Sequence, residues 1–198
     1  DETASESPAP GGGSVSAYMG ALGISLATMV ANLSSHKKGW DDRWKEFSGW
    51  ADKGQVIKKN LIALVDEDTR AFNQIMNAFG LPKGTDQEKV SRSEAIQAAT
   101  LNAIEVPLKT MKICLESMTI IKEMVKEGNP NSVTDAGVGA LCARSAIIGA
   151  YLNVKVNGSG LKDKAYMEKT MKEAEALKAA AENMEKEILP IVDNKISE

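Results

Sequence analysis

One carboxylate lies where a helix would bury it. Between residues 57 and 79 the apolar side chains recur every three or four positions, at Ile57, Leu61, Leu64, Val65, Phe72, Ile75 and Phe79. At about 100° per residue Asp68 falls in the middle of this stripe, whereas Asp66 points to the opposite, polar side. A carboxylate among such neighbours loses hydration, so its charge requires a cation or hydrogen-bond donors. Such a group is a candidate for proton transfer, although periodicity alone leaves open a structural Asp68 bonded to a helix end or to Arg144.

Arg144 poses the same question with the opposite charge. It is the only charged residue between Asp135 and Lys155, so it pairs with a buried carboxylate, meets an anionic ligand group or extends to an edge of the protein. Asp135 would lie in the first turn of its helix, where a negative side chain is normal for capping.

The run Gly11–Gly13 before Ser14 could present backbone N–H groups to an anion at a helix start. It resembles no nucleotide-binding loop, because no strand precedes it and no Gly-Lys-Ser/Thr follows. Asn131, Ser132, Asn153 and Asn157 cluster at the two ends of a later helix, where ordinary capping would also explain them.

Composition excludes several classes of protein. The 198 residues carry 24 basic and 27 acidic side chains, a net charge of −3, and no Lys/Arg run exceeds two, so a nucleic-acid-binding surface is not expected. Cys114 and Cys142 lie in apolar helical patterns and predict two reduced, buried thiols in a cytoplasmic protein. With His36 as the single histidine, we expect no metal site.

Helical periodicity and breakers predict an all-α bundle of about five long helices, some kinked, in a single domain spanning 1–198. Residues 1–13 form a partly ordered leading segment, and Ser14 caps the first helix. Pro107 is expected to kink or split the third helix, and the second is a candidate for a break near Ser48-Gly49 or at Gly54. The predicted spans are Ser14 to about Ser34, Trp40 to Phe79, Asp86 to Glu127, about Thr134 to Val154, and about Asp163 to Leu189.

The first and fourth helices have almost no polar face. Gly11–Ser35 contains no charge, yet its Ser, Thr, Gly and Asn residues dilute the hydrophobicity that a membrane helix needs, so we expect no membrane contact. Gly13, Ala17, Ala21 and Ser25 recur every four residues, a pattern that allows another helix to approach closely. Three amphipathic partners cannot easily cover both apolar helices, which favours a two-fold dimer over a compact monomer.

Four segments, taken in order, resemble the formiminotetrahydrofolate cyclodeaminase family. They are PAPGGGSVSAYMGALGISLATMVANLS at 8–34, LVDEDTRAFNQIMNAFGLPK at 64–83, Val106-Pro107-Leu108, and NSVTDAGVGALCARSAIIGAYLNVKVN at 131–157. The family includes the cyclodeaminase half of formiminotransferase-cyclodeaminase and stand-alone methenyltetrahydrofolate cyclohydrolases. The resemblance covers nearly the whole chain.

The resemblance implies an all-helical homodimer that binds a reduced folate, often as its polyglutamate. It implies an ammonia-lyase of one-carbon metabolism that converts 5-formiminotetrahydrofolate to 5,10-methenyltetrahydrofolate with loss of ammonia, a late step in histidine degradation. The family's acidic motif falls on residues 66–68, and helical phase selects Asp68 as the catalytic acid and base. The matching substrate-binding residues are Gly12, Gly13, Ser14, Asn131, Ser132, Asp135, Asn153 and Asn157, with Lys83 and Lys109 for the glutamate tail.

Two other functions stay open at this point. The first is a cyclohydrolase that gives 10-formyltetrahydrofolate on the same scaffold. The second is a helical dimer that binds folate without turnover, or acts as an interaction module. In each case we expect no cofactor beyond the tetrahydrofolate substrate, and a separate formiminotransferase is a candidate partner.

Overall fold

A computed structural model describes residues 2–197 and confirms the all-α prediction. The five long helices are α1 (Gly12–Ser35), α2 (Trp44–Phe79), α3 (Asp86–Glu127), α4 (Val133–Gly158) and α5 (Lys164–Ser197). Short 3₁₀ turns occupy Glu2–Ala4 and Pro130–Ser132, and residues 2–197 contain no strand.

Four of the helices lie side by side in the order α2, α1, α4, α5, and α3 packs across all of them. The backbones of α1 and α4 come close together at Gly23 and Gly139, where a Cβ atom on Gly23 would lie 2.7 Å from the Gly139 carbonyl oxygen. Small residues thus bring the two least polar helices into backbone contact. Gly23 is not part of the predicted stripe of Gly13, Ala17, Ala21 and Ser25, so this contact was not predicted from the sequence. The sides of α1 and α4 that face away from α3 expose apolar side chains.

The prediction that α2 starts at Trp40 and is interrupted by glycine was wrong. Residues 41–43 form a turn, and Trp40, just before them, stacks on Phe47 with ring centroids 5.5 Å apart. The helix then runs unbroken from Trp44 to Phe79. A Cβ at Gly54 would lie 2.2 Å from Thr28 Oγ1 of α1, so this glycine permits close packing and does not end the helix.

Neither internal proline divides its helix. α3 is continuous through Pro107, and α5 extends past the predicted end at Leu189, through Pro190, to Ser197. Beyond the proline, Val192 is buried with Ile188 one turn before it, and the Val192 side chain packs against Gly137 of α4. Burial of this apolar stripe holds the last turns in place despite the missing N–H group.

Two helical segments are long and apolar enough to cross a membrane by length and composition alone. They are Gly12–Ser35 and Pro130–Gly158, with mean hydropathies of 1.5 and 1.3. In the most apolar stretch of the first, 61% of the residues are buried inside the bundle. Central helices of a bundle meet the same criterion, because both environments require an apolar surface.

Candidate active site

A cavity of about 230 Å³ opens where the start of α1, the middle of α2 and the end of α4 meet. Its walls combine three polar side chains with glycine backbone and apolar groups. They are Pro8, Ala9, Gly11, Gly12, Gly13, Asp68, Ala71, Phe72, Ile75, Ala103, Asn153 and Asn157. Segments far apart in the sequence thus form one pocket whose only ionisable wall group is Asp68.

The Asp68 carboxylate lies against the first turn of α1. Ser14 donates a hydrogen bond from its hydroxyl to Asp68 Oδ2 at 2.8 Å, and a Cβ at Gly13 would lie 2.2 Å from Asp68 Oδ1. Only glycine at position 13 leaves room for the carboxylate. The carboxylate thus lies beside the first turn of α1, near the positive end of the helix dipole, and the Ser14 hydroxyl is the α1 group that donates to it.

The prediction that Ser14 caps α1 was wrong. The helix begins two residues earlier, with Gly11 at the N-cap position. The Ser14 hydroxyl is directed away from its own helix, towards α2, where the Val65 carbonyl oxygen lies at 3.1 Å and Thr69 Oγ1 at 3.2 Å. Thr69 can donate to Ser14 and so leave the Ser14 proton for the carboxylate.

In residues 2–197 no Lys, Arg or His lies within 4.0 Å of the Asp68 carboxylate. Arg144 instead pairs with Glu185 of α5 at 2.8 Å, which excludes an Asp68–Arg144 pair. The other structural alternative, an Asp68 bonded to a neighbouring helix end, agrees with the Ser14 hydrogen bond in the first turn of α1. Asp66, two residues before Asp68, is exposed on the opposite side of α2, as helical phase predicted. Asp68 is half-buried and keeps access to the cavity.

Asn153 and Asn157 form the wall opposite, one turn apart near the end of α4. Asn153 donates from Nδ2 to the Gly149 carbonyl oxygen at 2.9 Å, and Asn157 donates from Nδ2 to the Ala103 carbonyl oxygen of α3 at 2.7 Å. Both side chains are half-buried. Each amide thus donates one N–H to a backbone carbonyl oxygen, and its own oxygen is still available as an acceptor.

The two predicted lysines lie outside the cavity wall. Lys109 is exposed on α3 and forms an ion pair at 3.3 Å with Glu67, the residue before Asp68. Lys83 is exposed in the loop between α2 and α3. The structure therefore brings Lys109 near the site and leaves Lys83 on the surface.

Three other predicted site residues lie at the opposite end of α4. Asn131 is exposed, Ser132 is buried and Asp135 is half-buried. At 1.5 Å per residue, Ser132 and Asn153 are about 30 Å apart along the helix. Within one chain these three residues therefore cannot contact the same small group as Asp68, and their role stays a prediction.

The cysteines differ from each other more than their sequence context indicated. Cys114 is fully buried, and burial raises the pKa of its thiol to about 12. Cys142 is only half-buried, which corrects the prediction of two buried thiols. Neither lines the cavity, and residues 2–197 contain no cluster of three His, Cys, Asp or Glu side chains suited to a metal.

Sequence reasoning missed six wall residues, among them Ala71, which lies one turn after Asp68 on α2. Phe72 and Ile75 follow Asp68 along the apolar stripe, so their place in the wall could have been predicted from helical phase. Ala103 carries no local signal. Pro8 and Ala9 belong to the leading segment that was expected to be partly ordered, and they close one side of the pocket.

The fold and the site define an all-helical protein with a glycine-lined pocket that holds one carboxylate, and concave pockets of this kind are the usual place for small-molecule ligands. The sequence model of the family described as Formiminotransferase-cyclodeaminase matches residues 1–176, and the chain belongs to this family.

Relatives and a solved structure agree with that assignment. Methenyltetrahydrofolate cyclohydrolase from Methylorubrum extorquens is 37% identical over 197 residues, which cover 100% of this chain and 95% of the relative. Formimidoyltransferase-cyclodeaminase is 38% identical in Dictyostelium discoideum and 33% in Rattus norvegicus, covering 96% and 85% of this chain. The chain spans only 35% and 31% of those two longer proteins. The crystal structure of formiminotetrahydrofolate cyclodeaminase from Thermotoga maritima shares the fold, with a TM-score of 0.86 at 24% identity, over 99% of this chain and 94% of that one.

Proposed function

We propose that this protein cyclises 5-formiminotetrahydrofolate to 5,10-methenyltetrahydrofolate with release of ammonia, and that Asp68 is the catalytic acid and base. Membership of a family of folate enzymes supports the substrate class. The observation that carries the proposal is the Asp68 carboxylate, held by Ser14 in a cavity wall with no cationic side chain of residues 2–197 paired to it.

The reaction requires two proton movements at neighbouring nitrogens. When the bridge nitrogen of the protonated substrate attacks the formimino carbon, that nitrogen becomes positively charged and must lose its proton. Asp68 accepts this proton and then delivers it to the amino group, which leaves as ammonia as its bond to carbon breaks. The positive charge remains on the methenyl product, where the regenerated carboxylate stabilises it.

The neighbouring groups are suited to the remaining tasks. The amide oxygens of Asn153 and Asn157 face a ligand as acceptors, which suits the N–H groups of a pterin and of a formimino group. The apolar wall of Phe72 and Ile75 excludes water that would compete with the bridge nitrogen. Lys109, with Lys83 further away, offers positive charge for the glutamate tail.

Replacement of Asp68 by Asn tests the catalytic assignment. Asn retains the size of the side chain and an oxygen that accepts from Ser14, but it cannot take up a proton. We expect Asp68→Asn to lower kcat about 10²- to 10⁴-fold, the usual contribution of a positioned acid and base. Asp66→Asn, a matched control on the exposed side of α2, should leave kcat unchanged; an Asp68→Asn enzyme with near wild-type turnover would refute the assignment.

A cyclohydrolase is the second candidate function, favoured by the 37% identity to the M. extorquens relative along 95% of its length. The same carboxylate would activate water for attack on the methenyl carbon. Ammonia and the methenyl chromophore should be followed together after addition of 5-formiminotetrahydrofolate, then after addition of methenyltetrahydrofolate alone. Methenyl formation with ammonia supports the cyclodeaminase; decay of the methenyl compound without turnover of the formimino compound supports the cyclohydrolase. Binding without either reaction would support a non-catalytic role.

We also propose that two copies associate through the α1–α4 apolar face. This surface consists of the exposed apolar side chains of the two adjacent helices: Val15, Tyr18, Leu22, Met29, Leu33, Val138, Leu141, Leu152 and Val156. Exposed apolar side chains on two adjacent helices are typical of an interface, and a two-fold axis would cover the same residues on both copies.

The mass in solution tests this association. Leu22→Glu would bury a charge in each half of the interface, so we expect light scattering to show the monomer mass at concentrations where the wild type is a dimer. Val56→Glu adds the same charge on α2 at a side chain that is 60% exposed, and it should leave the dimer intact. A monomeric wild type would refute the proposal.

In the longer relatives the matching region belongs to one chain whose name includes a formimidoyltransferase. We therefore propose that this protein receives its substrate from a formiminotransferase activity. A coupled assay with such an enzyme should show methenyl formation from its product.

A further inference from the structure

Pro107 occupies an interior position of α3, yet the helix does not break there. In an unbroken helix the N–H group of residue 107 would bond to the carbonyl oxygen of Ala103, four residues earlier. Proline has no N–H group, and its ring displaces that carbonyl from the helix axis. Ala103 is 5% exposed, and a carbonyl this far from solvent requires another donor.

The donor comes from α4. Asn157 reaches across with Nδ2 and donates to the Ala103 carbonyl oxygen at 2.7 Å. Because a carbonyl oxygen only accepts hydrogen bonds, this contact fixes which end of the amide faces α3. The Asn157 Oδ1 atom receives no hydrogen bond from the side chains or loop backbone of residues 2–197, and Asn157 and Ala103 both line the cavity.

We propose that Pro107 is a positioning residue for substrate recognition: by depriving Ala103 of its helical partner, it holds the Asn157 amide with Oδ1 presented to N–H donors of the ligand. The inference rests on the proposed function, since the donor-rich ligand is taken to be a tetrahydrofolate. It also assigns a role to the Val106-Pro107-Leu108 segment, although Pro107 is not itself a wall residue.

Pro107→Ala should release Asn157 without harm to the fold, because alanine supplies the missing N–H group and favours helix. The Ala103 carbonyl would turn back towards the α3 axis, and the Asn157 amide would be free to rotate. Since Asn157 orients the ligand and does not react, we expect KM and the Kd for tetrahydrofolate to rise about three- to tenfold, the effect of one hydrogen bond, with kcat little changed. Pro190→Ala is the matched control: it also removes a proline inside a helix, far from the cavity, and should leave Kd unchanged.

A double-mutant cycle separates positioning from a merely structural role. Asn157→Ala alone should weaken tetrahydrofolate binding about as much as Pro107→Ala. If Pro107 acts through Asn157, the double variant should bind no more weakly than Asn157→Ala. A further three- to tenfold loss in the double variant would overturn the inference, as would unchanged binding by Pro107→Ala.

An NMR measurement on the ligand-free protein tests the link without any folate. The side-chain NH₂ signals of Asn157, assigned by their loss in Asn157→Ala, should exchange slowly with water in the wild type and rapidly in Pro107→Ala. Equal exchange in both proteins would overturn the link between Pro107 and Asn157. Absence of tetrahydrofolate binding by the wild type would overturn the proposed function and the ligand half of this inference, and the exchange result would still decide whether the link exists.

Discussion

Gly13→Ala should inactivate the enzyme while it leaves the bundle folded. The new Cβ would lie 2.2 Å from Asp68 Oδ1, 2.6 Å from Cγ and 2.7 Å from Oδ2. Because a carbon–oxygen contact needs more than about 3 Å, the carboxylate must withdraw by about 1 Å and turn away from Ser14. A displacement of that size at a reacting group costs about a hundredfold in rate, equivalent to about 2.7 kcal/mol in the barrier.

The folded state should tolerate the same change. Alanine favours helix over glycine by up to about 1 kcal/mol, and loss of the Ser14–Asp68 hydrogen bond costs about as much. Thermal denaturation should therefore give a Tm within about 4 °C of the wild type. The assay is kcat for methenyl formation, with Gly49→Ala as control, because a Cβ at Gly49 would meet nothing within 4 Å. If Gly13→Ala retained more than a third of wild-type kcat, the close approach of Asp68 to α1 would not matter for catalysis.

Three further predictions concern packing and reactivity. Gly20→Ala would place a Cβ 2.4 Å from Cys114 Sγ; we expect the free energy of unfolding to fall by about 1 to 3 kcal/mol and Cys114→Ala in the same chain to restore most of it, whereas an unchanged urea midpoint would contradict the clash. Burial raises the pKa of Cys114 to about 12 and raises that of the half-buried Cys142 less, so Ellman's reagent at pH 8 should modify Cys142 first and Cys114 only on unfolding; two equally fast thiols would refute this. Arg144→Met leaves Glu185, whose side chain is 16% exposed, without its partner and should cost about 1 to 3 kcal/mol in urea denaturation, with Glu185→Gln in the same chain recovering part of the loss.

The sequence was most informative where helical periodicity applies. A rotation of about 100° per residue places Asp68 on the apolar stripe and Asp66 on the opposite side of α2. The structure confirms this, because Asp68 is half-buried and Asp66 is exposed. The start of α3 at Asp86 agrees with the prediction. A capping box at Thr85 holds it, in which Glu88 N–H donates to Thr85 Oγ1 at 3.2 Å and Thr85 N–H donates to the Glu88 carboxylate at 2.8 Å.

Contacts between distant residues could not be predicted in the same way. Asn157 and Ala103 are 54 positions apart, and neither residue type indicates that a proline four residues after Ala103 joins them. The ion pair between Arg144 and Glu185 of α5 also joins residues that are far apart in the sequence, so it could not be predicted either. The end of α5 was predicted too early, at Leu189, because the burial of Val192 beyond Pro190 depends on a contact with Gly137, a residue distant in the sequence.

Because α1 packs on a helix that is made much later, it stays partly uncovered during synthesis. This helix carries no charge and depends for its burial on α2 and α4, yet nearly a hundred residues separate Ser35 from Val133. At roughly 5 to 20 residues per second, the ribosome needs about 5 to 20 s to make the partner after α1 has emerged. During that interval the apolar helix α1 lacks one of its two main packing partners, so the yield of native protein should depend on chaperones that shield a nascent apolar helix.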